Sequence, residues 1–165
     1  MPKSEVNEIT EKTIKKGGIL AKLYFDMQSE KKEDLQPLMT DLANNRLLKS
    51  PGVIYCFGAI NEPISLGDRY STSAELTVLV KNLGALIAIA FNFAPAGVEV
   101  LEPKGRYELT TSELQSILID LSQTSLEYSS YILSRVMKKE DYEKIKEEIK
   151  GREELGKRYM KKEEQ

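Results

Sequence analysis

The sequence predicts an α+β fold in which elements run β-α-β-β-α-β, followed by one long helix and a charged helical tail. Three observations predict it. Residues 19–28 and 70–81 alternate apolar and polar side chains with a period of two, the pattern of half-buried strands. Residues 32–48 and 83–93, one after each of these strands, have helical spacing or helix-favouring composition. Thr110 and Glu113 form a capping box ahead of an apolar stripe that runs to about residue 137.

Each element has its own warrant. Residues 1–17 are a polar, charged lead-in ending in Lys15-Lys16-Gly17-Gly18, expected to be mobile or loosely docked. In 19–28, Ile19, Ala21, Leu23, Phe25 and Met27 point one way, and Leu20, Lys22, Tyr24, Asp26 and Gln28 the other. In 32–48, Leu35, Leu38, Met39, Leu42 and Ala43 share a stripe; Pro37 is expected in the first turn, where its missing N–H costs nothing. Residues 53–60 are β-rich on both faces, and 61–69 form a polar connection. In 70–81, Ala74, Leu76, Val78 and Val80 face inward, with Leu79 an exception on the polar side. Residues 83–93 are apolar all round, so that helix is expected to be covered on both sides. Gly97 to Glu102 is a short strand with Val98 and Val100 inward. The long helix carries Leu114, Ile117, Leu118, Leu121, Ser125, Tyr128 and Ile132 on one stripe, with a middle rich in serine. Residues 138–165 are a charged tail with Tyr142, Ile145 and Ile149 spaced for one helical face. The expected domain therefore spans 18–137, with a core at 18–103 and the long helix at 110–137.

The order over 18–103 is the ferredoxin-like plan. Within it, Pro51-Gly52-Val53 stands between the first helix and the second strand, and Ala96-Gly97-Val98 before the fourth strand. Through these steps the stretch resembles small ligand-binding modules of the ACT and RAM type. The resemblance implies a non-catalytic module that dimerises through its sheet and binds a small metabolite at a subunit interface. It supplies no residue-level motif for individual ligand contacts.

Composition excludes much chemistry. The 165 residues hold 24 Lys+Arg and 26 Asp+Glu, a net charge of −2, so no strong field recruits nucleic acid or an acidic membrane. The sequence has no His and one Cys, which removes His-based triads, most zinc sites and any intrachain disulfide. Twenty Glu and 18 Lys against five Gln point to a heat-loving source. The start lacks an apolar signal region, and the longest apolar stretch, 83–93, is too short to span a bilayer; a cytoplasmic location is expected by elimination. No cofactor or metal motif is present in the sequence.

Two places hold candidate ligand-binding residues. The polar sheet face offers Lys22, Tyr24, Asp26 and Glu75, whose ordinary reading is a solvated or subunit-facing surface. The connection 61–69 offers Glu62, Asp68 and Arg69, whose ordinary reading is a surface excursion shaped by Pro63 and Gly67. An enzyme would use the carboxylates of the first group, or a divalent metal at Glu62 and Asp68. Nucleic-acid binding is a second alternative, opposed by the lack of stacking aromatics beside Tyr24. Cys56, in an apolar strand, reads as a buried structural thiol. The leading expectation is a non-catalytic homo-oligomer, a dimer or larger, that binds a small metabolite.

Overall fold

The computed structural model describes residues 3–137 together with 142–143, 145–146, 150–151 and 154–155. The chain divides into two compact units, Met1–Glu108 and Leu109–Gln165. The first is α+β with an antiparallel sheet; the second contains the long C-terminal helix.

The lead-in is not loose. Residues Lys3–Lys15 form α1, in which Val6, Ile9, Thr10, Thr13 and Ile14 are half-buried on one face. The helix ends in a Schellman turn. Gly17 adopts φ +87°, the Gly18 N–H donates to the Thr13 carbonyl at 2.9 Å, and the Gly17 N–H donates to the Ile14 carbonyl at 3.0 Å. A side chain at Gly18 would meet the Val80 carbonyl oxygen at 2.8 Å, so α1 ends tight against the sheet.

Strand β1, Ile19–Ser29, follows with the expected alternation: Ile19, Ala21, Leu23 and Phe25 are buried. Helix α2, Lys32–Asp41, buries Leu35 and Met39 and continues as a π-helical turn, Leu42–Leu47, which buries Leu42, Ala43 and Leu47. Pro37 lies inside α2 and not in its first turn. It is tolerated there because it is solvent-exposed, where water can satisfy the carbonyl that its missing N–H leaves over.

Gly52 turns the chain into β2, Val53–Ile60, with φ +84°. A side chain at Gly52 would also meet the Ala85 Cβ at 2.7 Å, so both angle and space demand glycine. The matching step before the last strand works differently. Ala94, not Gly97, takes the left-handed conformation, and Gly97 instead lies against the Tyr24 ring.

The connection after β2 is more ordered than expected. Ile64–Leu66 form a short strand, β3, paired with the start of β4, Arg69–Val80, across a two-residue turn at Gly67 and Asp68. Helix α3, Leu83–Phe93, is capped by the Asn82 side chain, which accepts from the Ala85 N–H at 3.0 Å. It buries Ala85, Leu86 and Ile89 but leaves Ala88, Phe91 and Asn92 exposed, so it is covered on one side and not two. Strand β5, Gly97–Glu102, closes the sheet.

The sheet order is β2-β4-β1-β5, with β3 alongside β4. One face meets α2, the π turn and α3, and holds the core. Register puts Val98 opposite Leu23 and Val100 opposite Ala21, on this core-facing side. Yet these valines are 46% and 54% exposed, because the helical layer stops short of β5.

In the second unit, α4 spans Thr111–Val136. Its capping box forms as the sequence requires: the Thr110 Oγ1 accepts from the Glu113 N–H, and the Glu113 carboxylate accepts from the Thr110 N–H. No residue of α4 is buried, and the predicted stripe lies mostly in solvent. The described residues of the tail, among them Tyr142 and Ile145, are helical; Ile149 lies outside the described residues.

Candidate functional site

Strand register assembles the outer sheet face row by row. One row runs Phe57, Thr77, Lys22, Glu99 across β2, β4, β1 and β5. The next runs Ala59, Glu75, Tyr24, Gly97. Asp26 sits one row further along, opposite Ser73. Lys22, Tyr24, Asp26 and Glu75 thus share one patch, because alternation on β1 and β4 sends them all to the same side.

The side chains of Lys22, Tyr24 and Glu75 engage one another. The Lys22 ammonium lies 3.6 Å from the Glu75 carboxylate and 6.0 Å from the centre of the Tyr24 ring. The Tyr24 hydroxyl donates to the Glu99 carboxylate at 2.9 Å. That bond, with a smaller contribution from desolvation and from the charges of Glu99 and Glu75, pushes the Tyr24 phenol above its ordinary value. Tyr24 is therefore a hydrogen-bond donor at neutral pH and not a base. Glu99 was not among the residues chosen from sequence; only the pairing of β5 with β1 brings it here.

Towards the other end of this face the surface closes. The next row holds Tyr55, Leu79 and Leu20. Leu79 has no exposed surface, although it points away from Val78 and Val80. Helix α1 lies here: the Thr10 and Tyr55 hydroxyls are 2.8 Å apart. The apolar exception in β4 is thus explained by the helical lead-in. Beside it, Asn7, Thr10, Ile14 and Glu102 line an open groove of about 390 Å³ between α1 and the end of β5. That volume is in the range of small-molecule sites.

Glu62 lies ahead of β3, and Asp68 and Arg69 lie at the β3–β4 turn, all exposed and apart from the Lys22–Glu75 patch. The hairpin is pinned by Asn61, whose carbonyl accepts from the buried Thr72 hydroxyl at 2.6 Å and from the Gln36 amide at 2.8 Å. Among the described residues, no group of three or more Cys, Asp or Glu side chains is gathered as metal ligands would be. The Cys56 thiol is half-buried against the core, and burial pushes it up to about 11.

The sheet's two edges differ. At one edge, β5 carries Glu99 and Glu102 and is followed by Pro103. At the other, β2 is eight residues, Val-Ile-Tyr-Cys-Phe-Gly-Ala-Ile, with no charge and no proline. Ile54 and Phe57 on it are 46% and 56% exposed, and Ile64 and Leu66 on β3 are exposed at the same edge.

A family model, the MJ0538 family, matches residues 20–157. The chain belongs to the MJ0538 family. The MJ0538 match begins within β1 and takes in the whole sheet, the outer-face patch and α4; α1 precedes it. Searches of curated proteins and of solved structures find no match. Among the described residues no helix is long and apolar enough to cross a membrane.

Proposed function

We propose that this protein is a non-catalytic module that associates with itself through its sheet and binds a small ligand, on a ferredoxin-like plan similar to ACT and RAM modules. Leaving aside the short β3, the four long strands run second, third, first, fourth, with two helices packed on one face. That order supports the plan. The observation that carries self-association is the bare edge of β2. Natural sheets blunt their edges with charge, proline or cover, since unpaired N–H and C=O groups recruit further strands. Here β5 carries charge and is followed by proline, whereas β2 carries neither and has as its irregularity a register shift between Val53 and Tyr55. Antiparallel pairing of β2 with β2 of a second copy is self-complementary, satisfies both edges and covers Ile54 and Phe57.

Acid–base catalysis on the outer face has less support. Lys22 and Glu75 pair with each other, and Tyr24 holds its proton. The same face, bordered by the α1 groove, suits recognition of a small polar molecule through fixed donors and acceptors.

Sedimentation velocity tests the reading, with native mass spectrometry to find retained ligand. The wild-type protein should associate at micromolar concentration. Phe57→Lys, which sets like charges across the two-fold axis, should raise the concentration needed at least tenfold without loss of circular dichroism. A wild-type chain that remains monomeric throughout refutes self-association.

A further inference from the structure

We infer that α1 sets the strength of self-association: its Thr10, through the Tyr55 hydroxyl, fixes the aromatic pair on β2 that a second copy meets. Thr10 and Tyr55 are thus positioning residues for the β2 edge. The inference rests on the β2 reading given above and says how that edge is prepared.

Tyr55 belongs to β2, and its register partner Leu79 puts it on the outer face. Its hydroxyl lies 2.8 Å from that of Thr10 in α1. A third group fixes the direction of this bond. The Thr10 hydroxyl donates to the Val6 carbonyl at 2.6 Å. A hydroxyl has one proton to give, so Thr10 accepts and Tyr55 donates. The chain runs from the Tyr55 O–H through the Thr10 O–H to the Val6 carbonyl of the same helix. Each bond polarises the next, which strengthens both.

The Tyr55 ring reaches the surface that a second copy uses. The ring centres of Tyr55 and Phe57 are 5.6 Å apart, with the planes tilted by 32°. At such a distance aromatic pairs attract. Phe57 stands two residues on, so alternation puts both rings on the outer face. Tyr55 is half-buried, whereas Phe57 is 56% exposed. One ring is clamped at its hydroxyl, and the other leans on it.

This clamp bears on affinity through entropy. A side chain that must be ordered on association weakens binding by about two- to tenfold. With Tyr55 held by α1, the ordering of Phe57 is done when the chain folds and not when two copies meet. Antiparallel pairing of β2 with β2 keeps the outer face outward in both copies. The Tyr55 and Phe57 rings of the two copies then lie side by side on one surface, as cross-strand neighbours do. The two-fold axis repeats the pair, so the effect counts twice. Loss of the clamp should therefore raise the dimer Kd at least fivefold.

Sedimentation velocity over a concentration series measures that Kd. Tyr55→Phe removes one oxygen and keeps the ring, the strand and the circular dichroism; it should raise the Kd at least fivefold. Thr10→Val should do the same, and the two together should do no more than either, because both hydroxyls serve one contact. Thr10→Ser, which keeps the hydroxyl, should restore the wild-type Kd. A hydroxyl that only steadied the fold would lower the urea midpoint and leave the Kd unmoved. In a Phe57→Ala background, Tyr55→Phe should change the Kd no further; an undiminished effect there overturns the route through Phe57. If the wild-type protein associates and both hydroxyl variants keep its Kd, the inference fails while the β2 edge stands. A wild-type chain that stays monomeric refutes the β2 reading and this inference with it.

Discussion

Leu79→Ala tests how α1 and the sheet are put together. Leu79 is fully buried on the face of β4 opposite the core, beside Tyr55, whose hydroxyl meets Thr10 of α1. If α1 lies over that end of the sheet, the substitution removes three buried carbons, worth ~2.4 kcal/mol at about 0.8 each. The surrounding strands cannot collapse freely, so the cavity should bring the cost to about 3–4 kcal/mol. For a unit of this size that is a fall of roughly 10–20 °C in Tm. Urea denaturation followed by circular dichroism reads the value directly. Thr77→Ala, two residues away on the same face and half-buried, is the control and should cost below ~1 kcal/mol. If Leu79→Ala costs no more than Thr77→Ala, Leu79 faces solvent and the docking of α1 is refuted.

Two further outcomes follow from the titrating groups. Cys56, pushed up to about 11 by burial, should react with a soluble disulfide at pH 8 on the order of a hundredfold slower than a free thiol, and the rate should climb as pH approaches 11; a free-thiol rate would show an exposed sulfur. Glu113 is held below its ordinary value chiefly by the Thr110 backbone N–H, then by the Thr110 hydroxyl. Its contribution to α4 is therefore present above the unfolded carboxyl value near ~4.3 and is lost as pH falls through the lower folded value. Thr110→Ala should move the Glu113 titration, followed by NMR, back towards the ordinary range; an unchanged titration would mean that the hydroxyl plays no part.

The strands were legible where one face is buried and one is wet. In β1 and β4 a slip of one residue would reverse every side chain, so alternation specifies both strand and face. Lys22, Tyr24, Asp26 and Glu75 were placed on one surface for that reason. Glu99 was not, because which strand lies beside β1 is a property of topology and not of spacing. Phe57 was missed because β2 reads as apolar on both faces, and only its pairing with Thr77 of β4 shows that it points to the open outer face at the sheet edge. The docking of α1 did have a signal: Val6, Ile9, Thr10, Thr13 and Ile14 recur at helical spacing, but the surrounding charges outnumber them. The capping box of α4 was plain because it is a local hydrogen-bond exchange.

The balance of surfaces favours recognition over reaction. The polar groups of the outer face are matched to one another, Lys22 to Glu75 and Tyr24 to Glu99, and a matched group must give up its partner before it can serve as acid or base. The apolar groups are in the opposite condition. Ile54 and Phe57 on β2 remain exposed, while 17 other hydrophobic residues among the described ones are buried. A core with room for them would have taken them in. The β2 edge is linear and repeats at the strand period. A second copy reversed about a two-fold axis matches it without any further design. Charge agrees: the β2 edge carries none. Substitutions that add charge along this edge should therefore change assembly before they change folding, whereas substitutions within the Lys22–Glu75 patch should change neither.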